Sequence, residues 1–119
     1  MKKISKELSK LAKLVGIDVH YGNLFRDVKA NDSYVKVASQ TDHTQHVMLS
    51  VEANQDMGTS LTPCDYTIFI AEGKVAATVN GLPYALEEGD YLLIPQGSHH
   101  TMQTLDTPVK MFVVATRTV

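Results

Sequence analysis

Between Tyr66 and Ala115 the chain breaks into six short apolar-rich runs, each ended by turn chemistry. The runs are Tyr66 to Ala71, Lys74 to Val79, Tyr84 to Leu86, Tyr91 to Ile94, His100 to Thr104 and Val109 to Ala115. Between them stand Glu72-Gly73, Asn80-Gly81, Glu88-Gly89, Gln96-Gly97 and Asp106-Thr107-Pro108. None of the runs is long enough for a globular helix, and near-regular turns between short strands predict an all-β sandwich or barrel. Asn80-Gly81 is the strongest single signal, because both residues tolerate the positive φ of a tight hairpin turn.

The pattern extends upstream. Tyr34-Val35-Lys36-Val37-Ala38 reads as a strand. In His46 to Glu52 the alternation puts Val47, Leu49 and Val51 on one face and His46, Met48, Ser50 and Glu52 on the other. Asn54 to Pro63 reads as a Gly, Ser, Thr and Asn loop, and Ile17 to Asn31 as irregular, with Gly22-Asn23 a turn. No sustained helical pattern is visible after residue 16. Before it, Ser5 can cap a helix whose Leu8, Leu11, Ala12, Leu14 and Val15 share a face, with Lys3, Lys6, Lys10 and Lys13 elsewhere and Gly16 at the end. Packing of that helix on the domain or on a second subunit is preferred to a membrane anchor, since the segment is short and has no aromatic residue.

At 119 residues the chain is one domain with room for a core. Its 44% hydrophobic and 20% charged residues are ordinary for a soluble protein. A formal net charge of -2 offers no electrostatic footprint for nucleic acid or an acidic membrane. One cysteine, Cys64, excludes an internal disulfide and a thiol-rich metal cluster. No apolar run spans a bilayer and no secretory signal pattern follows the N-terminal lysines, so a cytoplasmic location is expected.

The segment from Gly89 to His100 resembles the second motif of the cupins, which reads Gly, five residues, Pro, any residue, Gly, two residues, His. Here Gly89, Pro95, Gly97 and His100 keep every spacing. The preceding hairpin, from Glu72-Gly73-Lys74-Val75 to Asn80-Gly81, also resembles that of the family. The resemblance covers about half the chain and implies a double-stranded β-helix, or jelly-roll barrel, of the RmlC-like type. It divides the chain into an N-terminal helix and lead-in over 1–30 and a single barrel over 31–119. The phrase from Cys64 to Gly73 is loosely similar to the ethanolamine-utilisation cupins, whose first motif is degraded.

In metal-binding cupins the first motif supplies a His-x-His pair and a glutamate seven residues before the hairpin glycine. Counting back from Gly73 puts Tyr66 in the glutamate position. The histidine positions fall on Ser60 and Thr62, or on Thr59 and Leu61 with a spacer one longer. Only His100 survives of the family's ligands. A first-row divalent metal wants three or four good N, O or S donors, so no metal cofactor is expected. A displaced divalent site would have to join His100 to His46, Cys64 or Asp65, with His43, His99 and Glu52 as the other spare donors.

If His100 points inward as in the family, alternation carries Met102 and Thr104 inward too. Tyr66 in the glutamate position carries Ile68 and Ile70. The implied pocket is apolar, with a phenol and an imidazole as its polar groups, plus Cys64 at its edge. Tyr66 and His100 are the lead pair, able to hold a carbonyl or carboxylate or to act as acid and base. The bland alternative is that they bond each other or the backbone in a packed core. Cys64 is read first as a small buried residue and second as a reactive thiol.

Three function classes follow: a small-molecule-binding cupin without metal, a metal-free or displaced-metal enzyme on a small sugar or carboxylate, of isomerase, epimerase or lyase type, and a structural module with a filled barrel. The expected partners are a small-molecule ligand and, as the resemblance implies, a second copy in a homodimer.

Overall fold

The computed structural model of the chain describes residues 19–117. The expected N-terminal helix lies outside these residues. Among the described residues nine strands form two antiparallel sheets. In chain order they are β1 Val35–Gln40, β2 Thr44–Val51, β3 Asp56–Leu61, β4 Asp65–Glu72, β5 Lys74–Val79, β6 Leu82–Glu87, β7 Tyr91–Ile94, β8 His99–Thr104 and β9 Val109–Thr116. One sheet runs β1-β2-β9-β4-β7 and the other β3-β8-β5-β6. The two pack face to face, as the turn spacing predicts for a sandwich or barrel, and form the double-stranded β-helix that the cupin resemblance implies.

The alternating residues fill the space between the sheets. Val51, Ile68, Ile70, Val75, Ile94, Met102, Val109 and Met111 are all buried there. Burying a side chain of this size contributes about 1.5–3 kcal/mol, so this layer is the main stabilising element. Asn80 and Gly81 both take positive φ, 50° and 84°, and close the β5–β6 hairpin in two residues. Pro83 sits in β6, an edge strand, where its missing N–H costs no ladder bond.

Two segments depart from the sequence expectation. The stretch read as irregular contains a helix, α1, over Leu24–Ala30. Gly22-Asn23 is not a free turn: the Asn23 side chain caps the helix by accepting from Arg26 N at 2.8 Å, and Asp27 returns a bond to Asn23 N at 2.9 Å. Seven residues are too few to show helical periodicity, and only Val28 is buried. The second departure is β3, which the polar loop composition concealed. It is an edge strand, bulged between Asp56 and Thr59 and almost wholly exposed, so it needs no apolar alternation. Gly58, at φ 82°, donates to Asp56 Oδ1 at 2.8 Å within that bulge.

The helix α1 lies on the outer face of the five-stranded sheet. There Val28, Met48 and Ala71 form a second, smaller core with Ala38 and Phe112. Both faces of β2 are therefore covered: Leu49 and Val51 join the main core, while Met48 lies under the helix. Lys110 ties the helix end down by donating to the Asn31 carbonyl. Among the described residues no helix is long and apolar enough to cross a membrane.

Candidate functional site at the barrel mouth

One end of the barrel is closed by the turn over Pro95 to Ser98, and this turn delivers His100. Gly97 takes φ 84°, a conformation that L side chains rarely adopt. Thr62 clamps the turn from across the mouth: its N–H donates to Ser98 O at 2.8 Å and its carbonyl accepts from Gly97 N at 2.9 Å. Asp65 Oδ1 accepts from Gln96 N at 2.8 Å. On the far side, Asn80 Oδ1 accepts from His99 N at 2.9 Å. The backbone entering β8 is thus held on both flanks, which fixes the position of the His100 ring.

The Thr62 hydroxyl also holds that ring. It is buried, lies 2.9 Å from Ser98 O, and is bonded to His100 Nδ1 at 2.7 Å. Thr62 thus engages Nδ1 of the imidazole and not Nε2.

Tyr66 approaches His100 from the opposite sheet. It sits in β4 between Ile94 of β7 and Ala115 of β9, while His100 sits between Ser60 of β3 and Val79 of β5. The two ring centroids are 6.1 Å apart at 77°, an edge-on arrangement. Both rings are half-buried and reach solvent. Burial pushes the Tyr66 phenol above its usual range, helped by the nearby Cys64, and burial holds the His100 imidazole below its usual value of 6.5. At neutral pH these directions keep the phenol protonated and the imidazole mainly neutral.

The other candidate residues fall in different places. Ile68, Ile70 and Met102 are 3%, 2% and 6% exposed, so they form the packed floor beneath the pair rather than open walls. Thr104 is no pocket residue. It lies four residues beyond His100, about 13 Å along the strand. Its hydroxyl donates to Glu52 O at 2.6 Å and accepts from Gln55 N at 2.9 Å. Cys64 is half-buried and borders a cavity of about 220 Å³ with Gln40, His43 and Arg117 at the rim. His46 faces away from the barrel interior: its Nδ1 is 2.9 Å from Ser39 Oγ and its ring packs on Phe112 at 5.5 Å. Asp65 is engaged with the Gln96 turn.

This arrangement does not fit the metal that metal-binding cupins hold. Ser60 stands directly opposite His100 in the register, and Thr62 is bonded to it, so the two positions expected for histidines do lie at the mouth. They carry hydroxyls, and that of Thr62 is already committed. Among the described residues no three His, Cys, Asp or Glu side chains gather around one point. One imidazole with hydroxyls and a phenol is a weak donor set for a divalent transition metal.

Sequence reasoning missed Thr62 as an active participant, although counting back from Gly73 had marked its position. It also missed a groove of about 510 Å³ between α1 and the outer sheet face, bordered by Tyr21, Val28, Ala38, His46, Met48 and Phe112. A third concavity, about 580 Å³, lies around Glu72, Lys74, Glu87 and Glu88. Neither these two nor the Cys64 cavity is bordered by His100 or Tyr66.

Comparison with known proteins agrees with the fold. The chain is similar to a Bacillus halodurans protein of known crystal structure, with a TM-score of 0.77 and 19% identity over 84% of this chain and 82% of that one. It is similar to an RmlC-like cupin family protein with a double-stranded β-helix fold from Methanocaldococcus jannaschii, with a TM-score of 0.67 and 18% identity over 85% and 92% of the two chains. A cupin superfamily protein from Desulfitobacterium hafniense gives a TM-score of 0.65 and 18% identity over 91% and 88%. At these identities the likeness speaks for the fold alone. No curated protein sequence matches the chain. Residues 49–115, more than half of the sequence, match the family described as Cupin domain, and the chain belongs to that family.

Proposed function

We propose that this cupin binds a small, uncharged polar molecule at the barrel mouth, with His100 and Tyr66 as its hydrogen-bonding groups and no metal as its anchor. The bond from His100 Nδ1 to Thr62 carries this reading. A buried hydroxyl that holds one tautomer leaves Nε2 as an acceptor, next to a phenol that stays protonated. A ligand with one hydroxyl and one carbonyl group, such as a sugar derivative, matches that pair. The apolar floor of Ile68, Ile94 and Met102 favours its carbon skeleton.

The same pair supports a second reading, a metal-free isomerase or epimerase. A neutral imidazole near its titration range can take a proton, and a tyrosine hydroxyl can give one to a developing oxyanion. The lowered basicity of His100 favours this, because the free base dominates at neutral pH.

A thermal-shift screen of small hydroxycarbonyl compounds, with and without divalent metals, tests the proposal. Binders should raise the midpoint of the wild type without metal and lose their effect in His100→Ala and Tyr66→Phe. Binders that act equally on both variants, or only with added metal, would sink it. Conversion of a binder to an isomer, followed by NMR in deuterated water, selects the second reading.

A further inference from the structure

A groove of about 510 Å³ borders α1. It lies on the outer face of the five-stranded sheet, away from the barrel mouth, and its floor includes Met48, Phe112 and Ala38. His20 and Tyr21, at the start of the described chain, form part of its wall. The polypeptide preceding them therefore begins at the edge of the groove, with 18 residues to place.

The sequence of those residues suits the groove in its apolar spacing. Leu8, Leu11, Ala12 and Val15 are spaced i, i+3, i+4 and i+7, the pattern of an apolar helical stripe, while Lys6, Lys10 and Lys13 fall on the opposite side. Charge draws the segment to the body as a whole rather than to the groove itself, whose lining holds one Asp, Asp27, and one Lys, Lys36. Residues 1–18 hold five lysines against Glu7 and Asp18, a net +3. The remainder holds six Lys and Arg against eleven Asp and Glu, a net -5, and the two add up to the -2 of the whole chain. A basic segment tethered to an acidic body is drawn to it electrostatically, and the tether keeps its local concentration high.

We propose that residues 1–18 form an intramolecular docking segment whose Leu8, Leu11 and Val15 stripe seats in the groove between α1, β1 and β2 of the same chain. A partner protein, a second copy or an acidic membrane would use the same stripe differently, and the experiment separates them.

The chain contains no tryptophan, so a single introduced indole reports one position cleanly. Leu8→Trp and Leu11→Trp should each show blue-shifted emission and several-fold weaker acrylamide quenching than Lys10→Trp, at all protein concentrations. Adding Ala38→Lys, which places a cation in the groove on an edge strand that tolerates one, should abolish both differences while far-ultraviolet circular dichroism stays unchanged. Solvent-like emission from both leucine positions would overturn the proposal. So would protection that disappears on dilution, which assigns the stripe to a second copy, or protection that arises only with anionic phospholipid vesicles. Protection that survives Ala38→Lys in a folded protein would overturn the groove as the docking site.

Discussion

Replacing Thr62 by valine removes one hydroxyl and little volume, and its consequences can be worked out bond by bond. In the proposed tautomer the hydroxyl donates to Ser98 O at 2.9 Å and accepts from His100 Nδ1 at 2.7 Å. The Ser98 carbonyl stays satisfied, because Thr62 N–H also donates to it at 2.8 Å. Only the Nδ1 hydrogen loses its partner, on a ring that solvent partly reaches. The stability loss should therefore fall at the low end for a broken hydrogen bond, about 1 kcal/mol. In a domain of this size that lowers the thermal midpoint by about 3–6 °C. The larger effect is chemical. Without an acceptor at Nδ1 the proton is free to move to Nε2, turning the ring's acceptor into a donor. Nitrogen-15 NMR should report a shift of His100 from the Nδ1–H towards the Nε2–H form, reversed in Thr62→Ser. A ligand that donates to Nε2 should bind about 2- to 10-fold more weakly, as expected for one hydrogen bond of 0.5–1.5 kcal/mol. If Thr62→Val folds, keeps the Nδ1–H form and binds as tightly as the wild type, Thr62 does not set the tautomer and the reading of the site fails.

Stability should respond to pH through His100. Burial holds its folded-state value below the ordinary 6.5, so between the two values the unfolded chain binds more protons. Stability is then lost as pH falls through 6.5 and levels off below the folded value, so the midpoint should drop as pH falls through 6.5, less steeply in His100→Gln. Gly73→Ala would place its Cβ 2.3 Å from Pro108 O and 2.9 Å from Val109 Cγ2 at φ +90°, whereas at Gly81, φ +84°, nothing lies within 4 Å. Gly73→Ala should cost at least about 2 kcal/mol and Gly81→Ala about 1 kcal/mol in urea unfolding; equal losses would refute the steric reasoning. Thr104→Val should cost about 1–3 kcal/mol, because Gln55 N–H and Glu52 O both lose a partner, and should leave ligand binding unchanged. Weakened binding in that variant would return Thr104 to the pocket.

The sequence by itself determined the barrel, because its determinants are local. Strand alternation and positive-φ turns such as Asn80-Gly81 act over two to eight residues, so Ile68 and Ile70 could be put on one face with Tyr66, and Met102 on one face with His100; the cupin resemblance turned those faces inward, and all three are buried. The same locality explains what stayed hidden. The seven residues of α1 and the polar edge strand β3 are held by tertiary partners, Val28 by Met48 and Ala71, and β3 by its ladder to β8, rather than by any period of their own. The site divides along the same line. Spacing brought Tyr66 and His100 forward, and the missing family histidines at Ser60 and Thr62 could be counted. That the Thr62 hydroxyl meets Nδ1 of His100 was decided only by the fold, since Thr62, Ser98 and His100 meet across 38 residues of chain. That Thr104 and His46 are engaged elsewhere was decided there as well. A strand pattern states which side of a sheet a residue faces; which atoms it then meets depends on how two sheets and a helix pack.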